Sequence, residues 1–173
     1  MATKITGDTF LVGGAHPPTT AWRWKYDEWD ERGSYGMNSW AYNPPPGKTA
    51  LQGRPAKDHW RRAHVKGACY IPLFLDCRWP GGGPSHTDEP PKYYDDDSQL
   101  GQLWVQEMRL FCTDRHNGFI NGIFLDFSVR KIGLKELWTL KWHRRFNTAG
   151  HWTTAGGVQP DDWPEWMRRF KDY

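Results

Sequence analysis

Twelve tryptophans, eight phenylalanines and seven tyrosines in 173 residues constrain this chain more than any other feature of its sequence. Each ring that leaves water removes about 150–250 Å² of surface. A core can therefore be filled by aromatic side chains although the mean hydropathy is −0.83. Disordered chains are poor in such residues, so this one is expected to fold, and its length suits a single domain over residues 1–173. Eighteen glycines and thirteen prolines interrupt the backbone. Regular elements should accordingly be short and separated by long loops.

Charge and cysteine usage exclude several classes. The formal charge is +3, from 23 Lys plus Arg against 20 Asp plus Glu, too weak a field to hold a polyanion. The basic cluster of Arg144, Arg145, Arg168, Arg169 and Lys171 reads as a solvated face, and nucleic acid is disfavoured as a partner. Cys69, Cys77 and Cys112 form no CxxC pair and no zinc spacing. Cys77 and Cys112 flank apolar segments and are the first choice for a disulfide in an oxidising compartment. No apolar run approaches the roughly 20 residues that span a bilayer, and MATKITGDTFLVGG lacks the pattern of a signal peptide. The chain as given is expected to be soluble and to carry no address.

Along the chain, AWRWKYDEWDERG fits either an extended half-buried segment or a helix. SYGMNSWAYN reads as a short strand stopped by NPPPG. KDHWRRAH suits one or two helical turns, and IPLFL is a strand that Pro72 places at an edge or at its own beginning. Residues 78–99 form a long loop, and LWVQEMRLFC is a short strand or helix. FINGIFLDFSVRKIG is the most legible hairpin: Phe119, Ile123, Leu125 and Phe127 share one parity, and Val129 continues it after a turn near Asp126 to Ser128. In LKELWTLKWHRRF, Leu134, Leu137, Trp138, Trp142 and Phe146 share one helical face. A second helix is predicted in DDWPEWMRRF, with Asp162 as cap, Glu165 completing a capping box, and Trp163, Trp166, Met167 and Phe170 on the apolar face.

RHNGFINGIFLDFSVRKIGLKELWTLKWHRRF resembles the C-terminal part of prepilin-type proteins marked by a His, nine residues, then Asp-Gly; here His116 and Asp126 keep that spacing. SYGMNSW, VKGACYIPLFLDC, HTDEPP and DWPEWMRRFKDY resemble a subgroup of type II secretion pseudopilin-like chains, so the likeness covers most of the sequence from Ser34 onward. It implies an α+β, pilin-like head with a small antiparallel β-sheet, long loops and two C-terminal helices. It also implies a structural and non-catalytic subunit of an extracytoplasmic pseudopilus or pilus-like fibre. Its partners would be like subunits or other pseudopilins, together with secreted cargo. Two departures are visible. Phe127 stands where the motif has Gly, implying a longer or differently twisted turn. The family's N-terminal processing site and hydrophobic helix, through which such subunits enter the membrane, are absent from the sequence as given.

Four constellations offer chemistry. His116 and Asp126 suit an acid/base or metal pair, but no nucleophile motif accompanies them, so a structural role in the hairpin is preferred. His86, Asp88, Glu89, Asp95, Asp96 and Asp97 concentrate oxygen ligands suited to calcium without EF-hand spacing; the resemblance adds weight, since some pseudopilin heads bind calcium in a loop of the C-terminal half. His59, His64 and His143 with the three cysteines lack the spacing of a transition-metal site. Trp22, Trp24, Trp29, Trp79, Tyr93 and Tyr94 lie in loop-like sequence, where exposed rings stack on sugars. An extracellular carbohydrate-binding module is therefore the alternative function, and a hydrolase with paired carboxylates the third.

Overall fold

The computed structural model describes residues 21–26, 29–93 and 106–173. Among these, β1 (Trp22–Tyr26) and β2 (Trp29–Gly33) pair as an antiparallel hairpin. A five-stranded mixed sheet follows, built from β3 (Tyr35–Asn38), β6 (Pro72–Asp76), β7 (Gly81–Gly82), β8 (Phe119–Phe124) and β9 (Val129–Gly133) in the order β7-β3-β6-β8-β9. Only the β3/β7 contact is parallel. Between β3 and β6 lies a two-residue ladder of β4 (Ala50–Leu51) and β5 (Arg54–Pro55). The sole α-helix among the described residues is α1 (Glu165–Arg168); the other helical pieces are single 3-10 turns. The fold is thus mainly β, and the expected α+β head with two C-terminal helices is corrected.

The reason lies in where the carbonyls go. From Leu134 the chain does start with helical dihedrals and runs as a 3-10 turn over Lys135–Thr139, but Leu140 is extended at φ −77°, ψ 149°. The carbonyls that a longer helix would bond internally are taken by side chains. The Trp142 indole N–H donates to Leu137 O at 2.8 Å, and the Thr139 hydroxyl to Glu136 O at 2.8 Å. The Asn38 amide and the Trp60 indole N–H both donate to Trp142 O, at 3.0 and 2.9 Å. The apolar face predicted for that helix, Leu134, Leu137, Trp138, Trp142 and Phe146, is nevertheless fully buried. In the second stretch Asp162 accepts from the Gln159 N–H and closes a 3-10 turn over Pro160–Asp162, so α1 begins behind Pro164 without a side-chain cap. KDHWRRAH likewise gives only the 3-10 turn Ala56–Asp58 before the chain extends at His59.

Pro72 occupies the first position of the central strand, where its missing N–H is tolerated, and a register shift follows before Phe74. The inner face of the sheet carries Leu75, Ile120, Phe124 and Ile132. These pack on a layer of irregular chain that contributes Met108, Phe111, Trp138, Trp142, Trp163 and Met167. Residues 134–173 thus fold back onto the hairpin as a fixed part of the domain. Its end is seated against two glycines: a Cβ on Gly118 would meet the Phe170 ring at 2.6 Å, and one on Gly133 the Tyr173 hydroxyl at 2.4 Å. The buried Lys135 ammonium adds a tie to Asp172 at 2.7 Å and lies 5.0 Å from the centre of the Trp163 ring.

The β8–β9 turn differs from its expected form. Phe127 N–H donates to Phe124 O at 2.8 Å and Phe124 N–H to Ser128 O at 2.9 Å, while Phe127 itself sits at φ +65°. The chain keeps the left-handed corner that favours Gly, with Phe in it. A left-handed non-glycine residue costs about 1–2 kcal/mol, part of which Gly returns through its freer unfolded chain. Phe127→Gly should therefore raise stability by about 1 kcal/mol in urea unfolding. Trp138→Ala should lower it by about 3–5 kcal/mol, because the ring is only 1% exposed and its N–H bonds to Asp88 O at 2.7 Å.

Candidate interaction face

Strand alternation sends Gly36, Leu75, Gly122 and Ile132 inward and leaves the opposite set outward. On that outer face Met37 pairs with Phe74, Phe74 with Ile123, and Ile123 with Val129. One apolar row thus crosses four strands. Tyr35 stacks on Phe74 with ring centres 5.7 Å apart, and Phe119 extends the apolar surface along β8. Phe74, Tyr35 and Phe119 are each about two-fifths exposed, whereas Val129 is 69% and Phe127 73% exposed. In this row Phe74 and Val129 are open to solvent, while Met37 and Ile123 are half-buried. Of the hairpin parity singled out in the sequence, Phe119, Ile123, Leu125, Phe127 and Val129, Leu125 is buried and the others are exposed or half-buried, and the core is filled from the other parity by Ile120 and Phe124.

A charged group closes one side of the face. Asp76 is buried and lies 3.6 Å from Arg115 and 3.2 Å from His116 Nε2. It also accepts the Asn121 N–H at 2.7 Å. Arg115 donates to the carbonyls of Ser34 and Cys77 as well, which joins the β2–β3 corner to the end of β6. Burial lowers the Arg115 pKa against the pull of Asp76, and the Tyr35 hydroxyl is pushed up by burial and by the same carboxylate. On the other side Lys131 lies 5.9 Å from the Phe119 ring centre. An apolar centre with a polar rim is the ordinary anatomy of a protein–protein contact.

The motif residues are not brought together. His116 precedes β8 and turns to Asp76 and Asn121, at 3.2 and 3.0 Å. Asp126 follows β8 and accepts the Ser128 N–H and hydroxyl at 3.0 and 2.6 Å, contacts that hold its carboxyl below the usual range. A six-residue strand, about 20 Å long, separates them. Of the calcium candidates, Asp95, Asp96 and Asp97 lie outside the described residues. Asp88 is buried and accepts the N–H groups of Ser85 and Met108 at 3.1 and 2.8 Å; burial raises its carboxyl to about 6. The Glu89 side chain is exposed, and its backbone N–H donates to Gln106. No group of three or more His, Cys, Asp or Glu among the described residues is arranged to hold a metal. Cys77 and Cys112, expected as a disulfide, are buried free thiols here. Burial pushes Cys77 to about 12 and Cys112 higher still, so neither is a ready thiolate nucleophile.

Scans of protein-family models, curated proteins and solved structures returned no match for this chain. The reading of function therefore rests on the sequence and on this geometry.

The aromatic residues proposed for sugar stacking divide. Trp22 is buried and bonds to Tyr35 O at 3.0 Å, and Trp79 packs against the core. The side chains of Trp24 and Trp29, and all of Tyr94, lie outside the described residues. Tyr93, 65% exposed, borders a cavity of about 580 Å³ with Trp166, Asp114 and Arg169. Among the described residues no Trp is exposed as a flat platform. The signal missed in the sequence was that FINGIFLDF is apolar at both parities, as a strand with two apolar faces must be.

If His116 only helps to hold the buried carboxylate, its loss should be mild and that of Asp76 severe. Asp76→Ala should cost about 3–5 kcal/mol by leaving Arg115 buried without its carboxylate. His116→Ala, at a third-exposed position, should cost at most about 1 kcal/mol. Equilibrium denaturation of the two variants checks the order.

Proposed function

We propose that this chain is the head of a structural, non-catalytic fibre subunit of the prepilin type, and that it packs on further copies of its own kind through the outer face of the sheet. The observation that carries the reading is the outward apolar row of Met37, Phe74, Ile123 and Val129, exposed at Phe74 and Val129 and extended by Tyr35 and Phe119, with the exposed Phe127 in the adjoining turn. A contiguous apolar patch on a small domain marks a contact surface. The sequence likeness of residues 116–146 to pseudopilins points the same way, toward an extracytoplasmic secretion apparatus with other pseudopilins or secreted cargo as further partners. No described helix is long and apolar enough to cross a membrane.

The edge strand supports a choice of geometry. No described strand pairs with the outer side of β9, so the row ends at an open edge. Two β9 strands meeting about a two-fold axis between Arg130 and Lys131 would set Arg130 of each copy against Lys131 of the other, and like charges opposite one another are destabilising. A head-to-tail contact avoids this, and a head-to-tail contact that does not close generates an open filament. Sedimentation velocity across a concentration series tests the reading. Phe74→Glu and Val129→Lys should each weaken self-association at least tenfold, an effect of about 1.4 kcal/mol, without lowering the melting temperature. A wild-type chain that stays monomeric up to roughly millimolar concentration would sink the proposal.

A further inference from the structure

Away from the sheet face, Trp40 joins two stretches of chain through histidines. Its buried ring lies 4.4 Å from His143 and 5.2 Å from His59, centre to centre, and the Arg54 guanidinium stands 5.8 Å over it. His86 and Phe146 close the far side of His143, at 6.5 and 5.4 Å. The cluster sits where residues 56–60 are fastened to residues 142–145. Arg145 holds the Asp58 carboxylate with two bonds of 2.7 Å, and Arg144 N–H donates to Asp58 O at 3.0 Å. The Trp60 indole reaches Trp142 O at 2.9 Å, and Trp60 N–H reaches Trp40 O at 2.8 Å.

The hydrogen bonds fix the tautomers. His143 Nδ1 accepts the Arg145 N–H at 3.2 Å, so its lone pair is at Nδ1 and its proton at Nε2. His59 Nδ1 lies 3.0 Å from the Tyr42 carbonyl, which can only accept, so its proton is at Nδ1. His59 Nε2 then presents a bare lone pair, buried and without a hydrogen-bond partner among the described residues, and His86 Nδ1 is in the same condition. The His143 contact requires a neutral ring, because its Nδ1 must accept. A proton on His143 would land on Nδ1 and set N–H against N–H at Arg145.

We infer that the His143–Trp40–His59 stack is an acid-sensitive latch, which releases residues 56–60 from residues 142–145 when His143 is protonated. The groups facing His143 oppose its charge. His86, on the loop after β7, and Lys141 and Arg145, on its own segment, act against a proton there; on the facing segment Arg54 and Arg61 act on His59 and Lys57 on Asp58. Asp58 alone among the nearby acids favours a proton there, and it is already occupied by Arg145; Glu107 is paired with Arg54. Burial, first of all, and then His86, Lys141 and Arg145 hold His143 at about 4, against an ordinary 6.5.

A folded-state pKa below the unfolded one means that the neutral ring stabilises the latch above pH 6.5, and that this is lost as pH falls toward 4. Between pH 7 and pH 5 the opening equilibrium should rise by about 20-fold. Asp88 acts in the opposite sense: its raised pKa makes the fold gain stability between about pH 6 and 3.8. The melting temperature will therefore move little, and the latch must be read locally.

Amide hydrogen exchange at pH 7 and pH 5, expressed as protection factors, is the test. Trp60, Arg144 and Arg145 should lose about 20-fold in protection relative to β8 and β9. His143→Asn, which keeps an oxygen for the Arg145 N–H and cannot titrate, should lose none. Equal loss in the sheet and the latch, or the same loss in His143→Asn, overturns the proposal. Should that variant fail to fold, imidazole NMR on the wild-type chain decides. The His143 ring must titrate with the same midpoint as latch opening, and a different midpoint overturns the proposal equally.

Discussion

Burying an indole brings with it an N–H that seeks an acceptor, and six tryptophans of this molecule meet that demand on the backbone, while the buried Trp163 N–H has no partner among the described residues. Trp22 donates to Tyr35 O, Trp40 to Pro84 O, Trp60 to Trp142 O, Trp138 to Asp88 O, Trp142 to Leu137 O and Trp166 to Pro91 O. Each of these bonds ends on a backbone carbonyl, and the partners of Trp40, Trp60, Trp138 and Trp166 lie 44 to 82 residues away in the chain. An aromatic core here is also a set of cross-links between loops. A domain with one five-stranded sheet and little helix can hold long irregular segments in place because the side chains that fill its core also satisfy the backbone of those segments.

The same rule explains which parts of the fold were legible in the sequence. Burial was legible: the five residues predicted as an apolar face from Leu134 to Phe146 are all in the core. The hairpin and the β3 and β6 strands were legible too, because alternation and turn residues act over short distances. Backbone conformation after Thr139 was not. Whether a carbonyl bonds within a helix or to a side chain from elsewhere depends on partners such as Asn38 and Trp60, about 80 to 100 residues away, which no local pattern records. A 3.6-residue period selects the inward residues equally well when the chain is helical and when it is pinned in successive single turns.

The candidate site was legible only in part, for a related reason. His116 and Asp126 drew attention by their spacing, yet the strand between them carries them apart, and each is absorbed into local hydrogen bonding. Asp88 looked like a ligand and serves as a peg for two backbone N–H groups. The outer face, in contrast, is made of residues that carry no chemistry one at a time. Met37, Phe74, Ile123 and Val129 belong to four strands and become a surface only through the register of the sheet.

Phe127 ties that face to a cost in the backbone. The turn needs a left-handed residue after Asp126, and the resembling motif supplies Gly; this chain keeps the conformation and places an exposed aromatic ring in it. In an isolated head such a choice is unfavourable twice, once in the backbone and once in the apolar surface left in water. Local strain of this kind is sustained where the side chain has work outside the local structure. Phe127 lies in the turn that leads into Val129, the last residue of the row that begins with Met37, and its ring is exposed there. Against a neighbouring molecule that ring would recover the free energy it forgoes in the monomer. Its position at the corner is therefore consistent with the outer face having an occupant.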